Sequence, residues 1–353
     1  MASIDVEKIY EYLEMNEPVK ALDLLKKQCT KNAQAWFLQG EAQRQLGNFE
    51  TALLTYAKGL KIADIAEERM DILLAMAACY RTLGHAAAAY ELADETLQMA
   101  QELELEDYIV RALQETGMAL RAWGKLDEAL EVLDTVLAAY TQAKDYAGMG
   151  FIHWAKGGIF RLQGHFAEGI AQFKKSVVLA KKAHDKISEA YAYCGLAGIS
   201  RICGKIDDCV KNYKLAEKIF KHTQDVFGKA YTNCGLANGL RQQGKYVEAL
   251  RHYNTADKLY SAIHDTVDLG FVKWGRADVL RRKNKMQEAL KDLQEARVLF
   301  DNSDELRGQI LTKLSLAQVL YALGHTEEAE ELYTAGVQQA QKEGLHTYLE
   351  SYT

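Results

Sequence analysis

The sequence predicts an all-α fold made of stacked helix pairs. A fixed period comes first: arginines recur at an interval of forty residues, at Arg81, Arg121, Arg161, Arg201, Arg241 and Arg281. Each of these but the last stands three residues before a glycine. The chain has only one proline, Pro18, and no runs with the alternating period of a strand. A period of this length is typical of proteins in which similar units stack side by side.

Each unit is interpreted as two helices joined at a turn. The turn positions are Gly47, Gly84, Gly124, Gly164, Gly204, Gly244, Asn284 and Gly324. Small residues recur seven residues before the turn and five residues after it, which lets the two helices approach closely. Aromatic residues recur nine and sixteen residues after the turn, as at Tyr253 and Tyr260, and give the second helix one apolar face.

The start of each first helix also has a signal. Aspartates stand just before it, and a short side-chain acceptor at that place satisfies free backbone amides. These predicted helix caps are Asp145, Asp185, Asp225, Asp265 and Asp304.

The pattern resembles the tetratricopeptide-repeat (TPR) superfamily. That family has Trp and Leu-Gly in the first helix, Gly at the turn and Ala in the second, as in Trp36, Leu38, Gly40, Gly47 and Ala52. The resemblance covers residues from about 5 to about 342, although the period exceeds the usual thirty-four residues. It implies a right-handed superhelical solenoid of antiparallel helix pairs. We expect about eight to nine repeats in one domain, 1–353, with a partial N-terminal repeat at 5–31 and a short C-terminal end at 344–353.

Composition suggests a cytoplasmic protein, because neither a signal segment nor a long apolar run is present in the sequence. The cysteines lack the spacing of metal ligands or of a disulfide framework, and they are predicted to be small packing residues. They are Cys29, Cys79, Cys194, Cys203, Cys209 and Cys234.

The net charge of −6 is unevenly distributed. Residues 141–300 contain 27 Lys and Arg against 16 Asp and Glu, a surplus of 11 positive charges, whereas the rest of the chain is acidic. In stacked repeats, such a distribution predicts a basic central region. Many of its lysines, such as Lys174, Lys211 and Lys218, are expected to be solvated on outer helices.

The first helices carry the candidate site. Positions ten, six and three residues before the turn share one helix face, which lines the concave groove in the resembling family. This face predicts a groove with tryptophans at its ends, small residues on its floor and arginines along its wall. The candidate partner-binding residues are Arg161, Arg201, Arg241, Arg281, Trp154, Trp274, Cys194, Cys234, Gly198, Asn238 and Asp278.

Each of these features also has a structural interpretation. The arginines could bond the last carbonyls of a helix or an acid on a neighbouring copy. Glycines within helices, such as Gly157, Gly235 and Gly275, could admit a neighbouring helix instead of a ligand. Lys156 and Arg276 could cover apolar surface or contact the tryptophans of the groove.

The leading hypothesis is a non-enzymatic scaffold or adaptor that binds an extended acidic segment or C-terminal tail of a partner protein, without a cofactor or metal. No phosphate loop, zinc motif or nucleophile elbow is present, and a thiol–imidazole pair of His153 with Cys194 has little support from spacing. A small anionic ligand is the alternative. Single-stranded nucleic acid is third, because the overall charge is acidic.

Overall fold

The computed structural model describes residues 5–15, 17–27, 32–303 and 305–344. These residues form eighteen α-helices and no strands, which confirms the all-α class. The helices are α1 Val6–Glu14, α2 Pro18–Lys27, α3 Ala33–Gln45, α4 Phe49–Leu60, α5 Ala66–Thr82, α6 Ala86–Glu102, α7 Glu106–Trp123, α8 Leu126–Ala143, α9 Tyr146–Leu162, α10 Phe166–Lys182, α11 Lys186–Ile202, α12 Ile206–Phe220, α13 Val226–Gln242, α14 Tyr246–Ala262, α15 Thr266–Arg282, α16 Met286–Asp301, α17 Leu306–Ala322 and α18 Thr326–Lys342.

The chain forms two compact units, residues 1–192 and residues 193–353, and their boundary falls within α11. In the first unit, each helix from α1 to α10 packs against the next one along the chain. In the second unit, the helices from α12 to α18 do the same. This sequential packing confirms the helix pairs expected from the period. The single array over residues 1–353 stays a prediction.

The turn inside each pair requires a left-handed backbone. The glycines at the predicted turns have φ between 70° and 89°, and Asn284 has φ 60°. A Cβ atom at Gly84 or Gly244 would meet no atom within 4 Å, so backbone conformation and not space selects glycine there. The turn amide also satisfies a carbonyl of the helix end, as in the bond of 3.0 Å from Gly244 N to Arg241 O.

The aspartate caps are confirmed wherever the structure describes them. The Oδ1 atoms of Asp145, Asp185, Asp225 and Asp265 each accept a hydrogen bond from the backbone amide three residues later, at 2.7 to 3.0 Å. Asp304 lies outside the described residues. These bonds fix the residue at which four first helices begin.

Glycines inside the first helices admit the aromatic rings of an adjacent second helix. A Cβ atom at Gly275 would lie 2.5 Å from the Tyr253 hydroxyl, and one at Gly157 would lie 3.0 Å from the Phe173 ring. Gly235 faces the ring of Tyr213 in the same way. Of the two interpretations left open by the sequence, close packing of a second helix therefore explains these three glycines.

The small residues five positions after the turns form the centre of the core. Ala52, Ala89, Cys209, Ala249 and Ala289 are fully buried. Of the cysteines, Cys79 and Cys194 are also buried, whereas Cys203 is exposed and Cys234 is half-buried. Cys203 is thus a correction to the prediction of packing cysteines, because it lies at the solvent-facing turn, and Cys29 lies outside the described residues.

Candidate partner-binding site

Arg241 lies at the centre of the candidate residues of the second unit. It stands at the end of α13, and only 4% of its side chain is exposed. Its guanidinium lies 5.2 Å from the centre of the Trp274 ring, and its Nη1 donates to Asp278 Oδ2 at 2.7 Å. Both partners belong to α15, so Arg241 joins the first helix of one pair to the first helix of the next.

Asp278 accepts hydrogen bonds from three arginines. Besides Arg241, the Arg281 Nη2 atom donates to Oδ1 at 2.7 Å and the Arg282 Nε atom donates to Oδ2 at 2.9 Å. Burial alone would raise the pKa of Asp278, but the charge of Arg241 and the three hydrogen bonds hold this pKa below its ordinary value. Asp278 is therefore a carboxylate at neutral pH, surrounded by a surplus of positive charge.

The first unit contains the equivalent contact. The Arg121 guanidinium lies 5.3 Å from the centre of the Trp154 ring, and it covers Gly158, where a Cβ atom would meet Arg121 Nη2 at 2.8 Å. In both units, an arginine near the end of one first helix packs on two residues of the next first helix. The arginine stands three residues before its own turn, and the two residues that it contacts stand ten and six residues before the following turn. The face inferred from the sequence is thus assembled between neighbouring pairs, within each unit.

The other arginines of this register have varied surroundings. Arg44 donates to Glu41 of its own helix at 2.6 Å, and Arg81 donates to Glu115 at 2.6 Å. Both therefore have the structural role that the sequence allowed for arginines with acidic neighbours. Arg161 and Arg201 are half-buried near the ends of α9 and α11.

Several predicted groove residues bond within the protein. Asn238, one of the candidate partner-binding residues, accepts a hydrogen bond of 2.7 Å from the Tyr253 hydroxyl, and its Nδ2 atom lies 3.7 Å from Cys234 Sγ. The Trp274 indole is 7% exposed and donates to Ser315 at 2.9 Å. Trp154 is half-buried, and Gly198 is buried within α11.

The two groove thiols are not reactive groups. Burial raises the pKa of both Cys194 and Cys234 to about 12, so both stay protonated at neutral pH. Cys194 Sγ lies 3.5 Å from the Thr232 hydroxyl, and His153 Nδ1 bonds Gln172 Oε1 at 2.6 Å. The thiol and the imidazole each have a partner of their own, which removes the reason to regard them as a catalytic pair.

Lys156 and Arg276 both form ion pairs. Arg276 forms a two-point ion pair with Asp292, with both bonds at 2.7 Å, and also donates to Asp257 at 2.8 Å. Lys156 pairs with Asp134. All three acids lie on second helices, so the charged groups of both side chains pair with acids of the protein. The cation–aromatic contacts belong to Arg121 and Arg241 instead.

Sequence reasoning overlooked Arg282 and its neighbours. Residues 281–285 read Arg-Arg-Lys-Asn-Lys, whereas each of the other turns carries at most two Lys or Arg residues. Arg282, Lys283 and Lys285 are exposed, and Lys285 pairs with Glu288 at 2.8 Å. The sequence signal for these residues is the local excess of positive charge. Comparing the residues at one fixed position of every repeat does not include this excess.

The described residues contain neither a metal-type cluster nor a candidate membrane span. They hold no group of three or more His, Cys, Asp or Glu residues placed to bind a metal ion. Among them, no helix has the length and apolar character that crossing a bilayer requires.

Comparisons with known proteins agree with the fold. The tetratricopeptide-repeat family model matches residues 12–65. No curated protein matches the sequence at a significant level.

Several solved structures are similar over 63% to 97% of the chain. A Rap protein complexed with Competence and Sporulation Factor has a TM-score of 0.62 at 13% identity, covering 96% of this chain and 97% of its own. The apo form of RapI has a TM-score of 0.56 at 10% identity, covering 97% and 98%. BtubC (BKLC) from P. vanneervenii has a TM-score of 0.53 at 16% identity, covering 63% and 90%. Together with its forty-residue helix pairs, these likenesses show the fold of a helical repeat protein, similar to the tetratricopeptide-repeat family over residues 12–65.

Proposed function

We propose that this protein is a non-enzymatic, cytoplasmic scaffold or adaptor that binds an extended acidic segment or C-terminal tail of a partner protein. The binding surface lies in the second unit, at the end of α15, and we name it the arginine cluster: Arg241, Arg281, Arg282 and Asp278. One observation carries the proposal, namely that three guanidiniums converge on a single carboxylate. The cluster therefore has a net positive charge that a carboxylate-rich segment would neutralise.

The two outer arginines have donors for such a partner. A guanidinium has five N–H donors in a planar fork that matches a carboxylate. Arg281 and Arg282 each direct one nitrogen to Asp278, and their side chains are 32% and 48% exposed. Arg241 is buried, and it positions Asp278 without facing the partner. The contacts proposed here are therefore those of Arg281 and Arg282.

The neighbouring turn adds to the attraction. Lys283 and Lys285 are exposed beside the arginine cluster, and Glu288 offsets only one of them. A surface of this kind accelerates encounter with an acidic partner and loses affinity as salt screens its charges. Binding should thus weaken with rising ionic strength.

The likeness to repeat proteins supports the class of function. A Rap protein with a similar fold was crystallised in a complex with Competence and Sporulation Factor. The shared fold is compatible with a binding role, and the charge of the arginine cluster is the reason for choosing an acidic partner.

The test uses a fluorescein-labelled peptide of alternating glutamate and serine with a free C-terminus. Anisotropy would be measured with the wild type and with the Arg281→Glu, Arg282→Glu double variant. The matched control is Lys291→Glu with Arg297→Glu, which makes the same change of charge at exposed positions of α16. Circular dichroism would first establish equal helicity for all three proteins.

We expect the cluster variant to bind about tenfold more weakly, which corresponds to about 1.4 kcal/mol, and the control to bind like the wild type. Equal weakening by both double variants would show that net charge alone attracts the peptide. The absence of salt-sensitive binding to the wild type would refute the proposal. Arg241 is left unchanged because its loss would disturb packing.

A further inference from the structure

At two places, a side-chain hydrogen bond joins one turn to the start of the second helix in the preceding pair. Gln163 stands directly before one turn, and its Nε2 atom donates to Asp127 Oδ1 of the preceding pair at 2.8 Å. Gln243 donates to Asp207 in the same register at 2.6 Å. In both cases the aspartate stands three residues after its turn, at the start of a second helix.

The corresponding positions between α6 and α7 are occupied by Ala87 and Trp123. Neither can form this bond, and a pocket of about 610 Å³ opens between the two turns. It is lined by Tyr80, Gly84, His85, Ala86, Ala87, Ala88, Ala122 and Trp123. The Trp123 ring packs on Tyr90 at 5.9 Å between centroids, yet 45% of the residue remains exposed. Because the Trp123 indole is held in place and partly exposed, it provides a surface on which an apolar side chain of another molecule can pack.

The charge around this pocket is one-sided. No lining residue is acidic, and Lys125 Nζ lies over the Trp123 ring at 4.2 Å from its centre. Among the described residues, Lys125 forms an ion pair only with the exposed Glu128, at 3.9 Å. α6, all of whose residues are described, has no acid in its first turn. Each of the other seven helices that follow a turn has at least one.

From this geometry we propose a second binding site in the first unit, at the pocket between α6 and α7. Its occupant is an apolar side chain of a partner peptide that carries a carboxylate beside it. The side chain packs on Trp123 and Tyr80, and the carboxylate pairs with Lys125. This site is separate from the arginine cluster, and it does not depend on the function proposed for that cluster.

The test follows Trp123 directly. Protein labelled with 5-fluorotryptophan would be titrated with N-acetyl-leucine and, separately, with N-acetyl-leucine amide, while ¹⁹F NMR spectra are recorded. The resonance of Trp123 would be assigned as the one missing from a Trp123→Phe variant. The chain has only three other tryptophans, Trp36, Trp154 and Trp274, and these serve as internal references.

A matched pair of variants separates occupation of the pocket from a general change of charge. Ala87→Glu places a larger acid at the mouth of the pocket, and Ala167→Glu makes the same change in the same register of another turn. Both alanines are exposed, so neither variant should disturb the core.

We expect N-acetyl-leucine to shift the Trp123 resonance saturably in the wild type and in Ala167→Glu, but about tenfold more weakly or not at all in Ala87→Glu. The amide should bind more weakly than the acid. The proposal is overturned if no saturable shift of Trp123 occurs in the wild type, or if Ala87→Glu binds like Ala167→Glu. Equal binding of the acid and the amide would overturn the assigned role of Lys125.

Discussion

Replacing Asp278 by asparagine should destabilise the second unit strongly. The substitution keeps the size of the side chain but removes the negative charge beside Arg241, whose side chain is 4% exposed. Removing one partner of a buried ion pair costs about 3–5 kcal/mol, because a charge is left in a poorly solvated place. Asp278 is itself 12% exposed and has two partly exposed partners, so we expect the lower part of that range, about 3 kcal/mol.

The opposite substitution, Arg241→Met, should cost less. Asp278 would retain Arg281 and Arg282, and methionine would keep part of the apolar contact with Trp274. A double-mutant cycle with Asp278→Asn should give a coupling energy of about 1–3 kcal/mol. This asymmetry follows from burial, because a partly exposed acid loses one of three partners whereas a buried cation loses its carboxylate.

The assay is urea unfolding followed by circular dichroism and by tryptophan fluorescence, since long repeat arrays can depart from two-state behaviour. Coincident transitions would justify comparing free energies. The reasoning is refuted if Asp278→Asn changes the free energy of unfolding by less than about 1 kcal/mol, or if Arg241→Met costs more. The pH dependence supplies a second check. Asp278 has a lowered pKa, so its stabilisation should be present above the unfolded pKa and lost as the pH falls through the folded pKa.

Three further predictions concern packing, backbone and titration. Gly275→Ala should lower the free energy of unfolding by about 1–3 kcal/mol, because the added methyl group would meet the Tyr253 hydroxyl. Gly150→Ala, where the nearest atom to an added Cβ is 3.5 Å away, should raise it by up to about 1 kcal/mol. Shifts of the Tm in opposite directions would verify this. Asn284→Gly should stabilise the fold by up to about 1 kcal/mol and so raise the Tm slightly, because φ of 60° is strained for a residue with a Cβ atom; an unchanged or lower Tm would contradict this. Burial, together with the nearby charge of Asp265, raises the pKa of Asp268 to about 6. A raised folded pKa means that stability is lost as pH rises from about 4 to about 6, so unfolding measured across this interval should show a loss in the wild type that Asp268→Asn lacks.

The period of the sequence was sufficient to predict the helix pairs. Helix caps such as Asp225 and turn residues such as Gly244 have local physical requirements, and each is met within a few residues along the chain. The small residues near the turns were likewise predictable, because their spacing places them between two helices of the same pair. Local chemistry repeated at a constant interval therefore determines most of the fold.

The surroundings of the candidate residues were harder to predict. Arg241 and Trp274 were both assigned to the candidate face, and the contact between them joins different pairs, a geometry that residue spacing alone does not give. Asn238 and Trp274 were expected to face a partner and instead bond Tyr253 and Ser315. Arg282 and Trp123 were missed because each is an exception to the repeat, and a method based on periodicity gives such exceptions little weight.

The contact of Arg241 with Trp274 and Asp278 also determines where this protein could be cut and rejoined. A helix pair looks like the natural module, yet a cut through the loop between α14 and α15 would separate this arginine from both of its partners. The smallest segment that contains the complete contact runs over residues 241–278, from the end of one first helix into the next. Consensus design or repeat insertion should therefore use segments offset from the helix pairs, since modules cut at the loops would each inherit half of the contact.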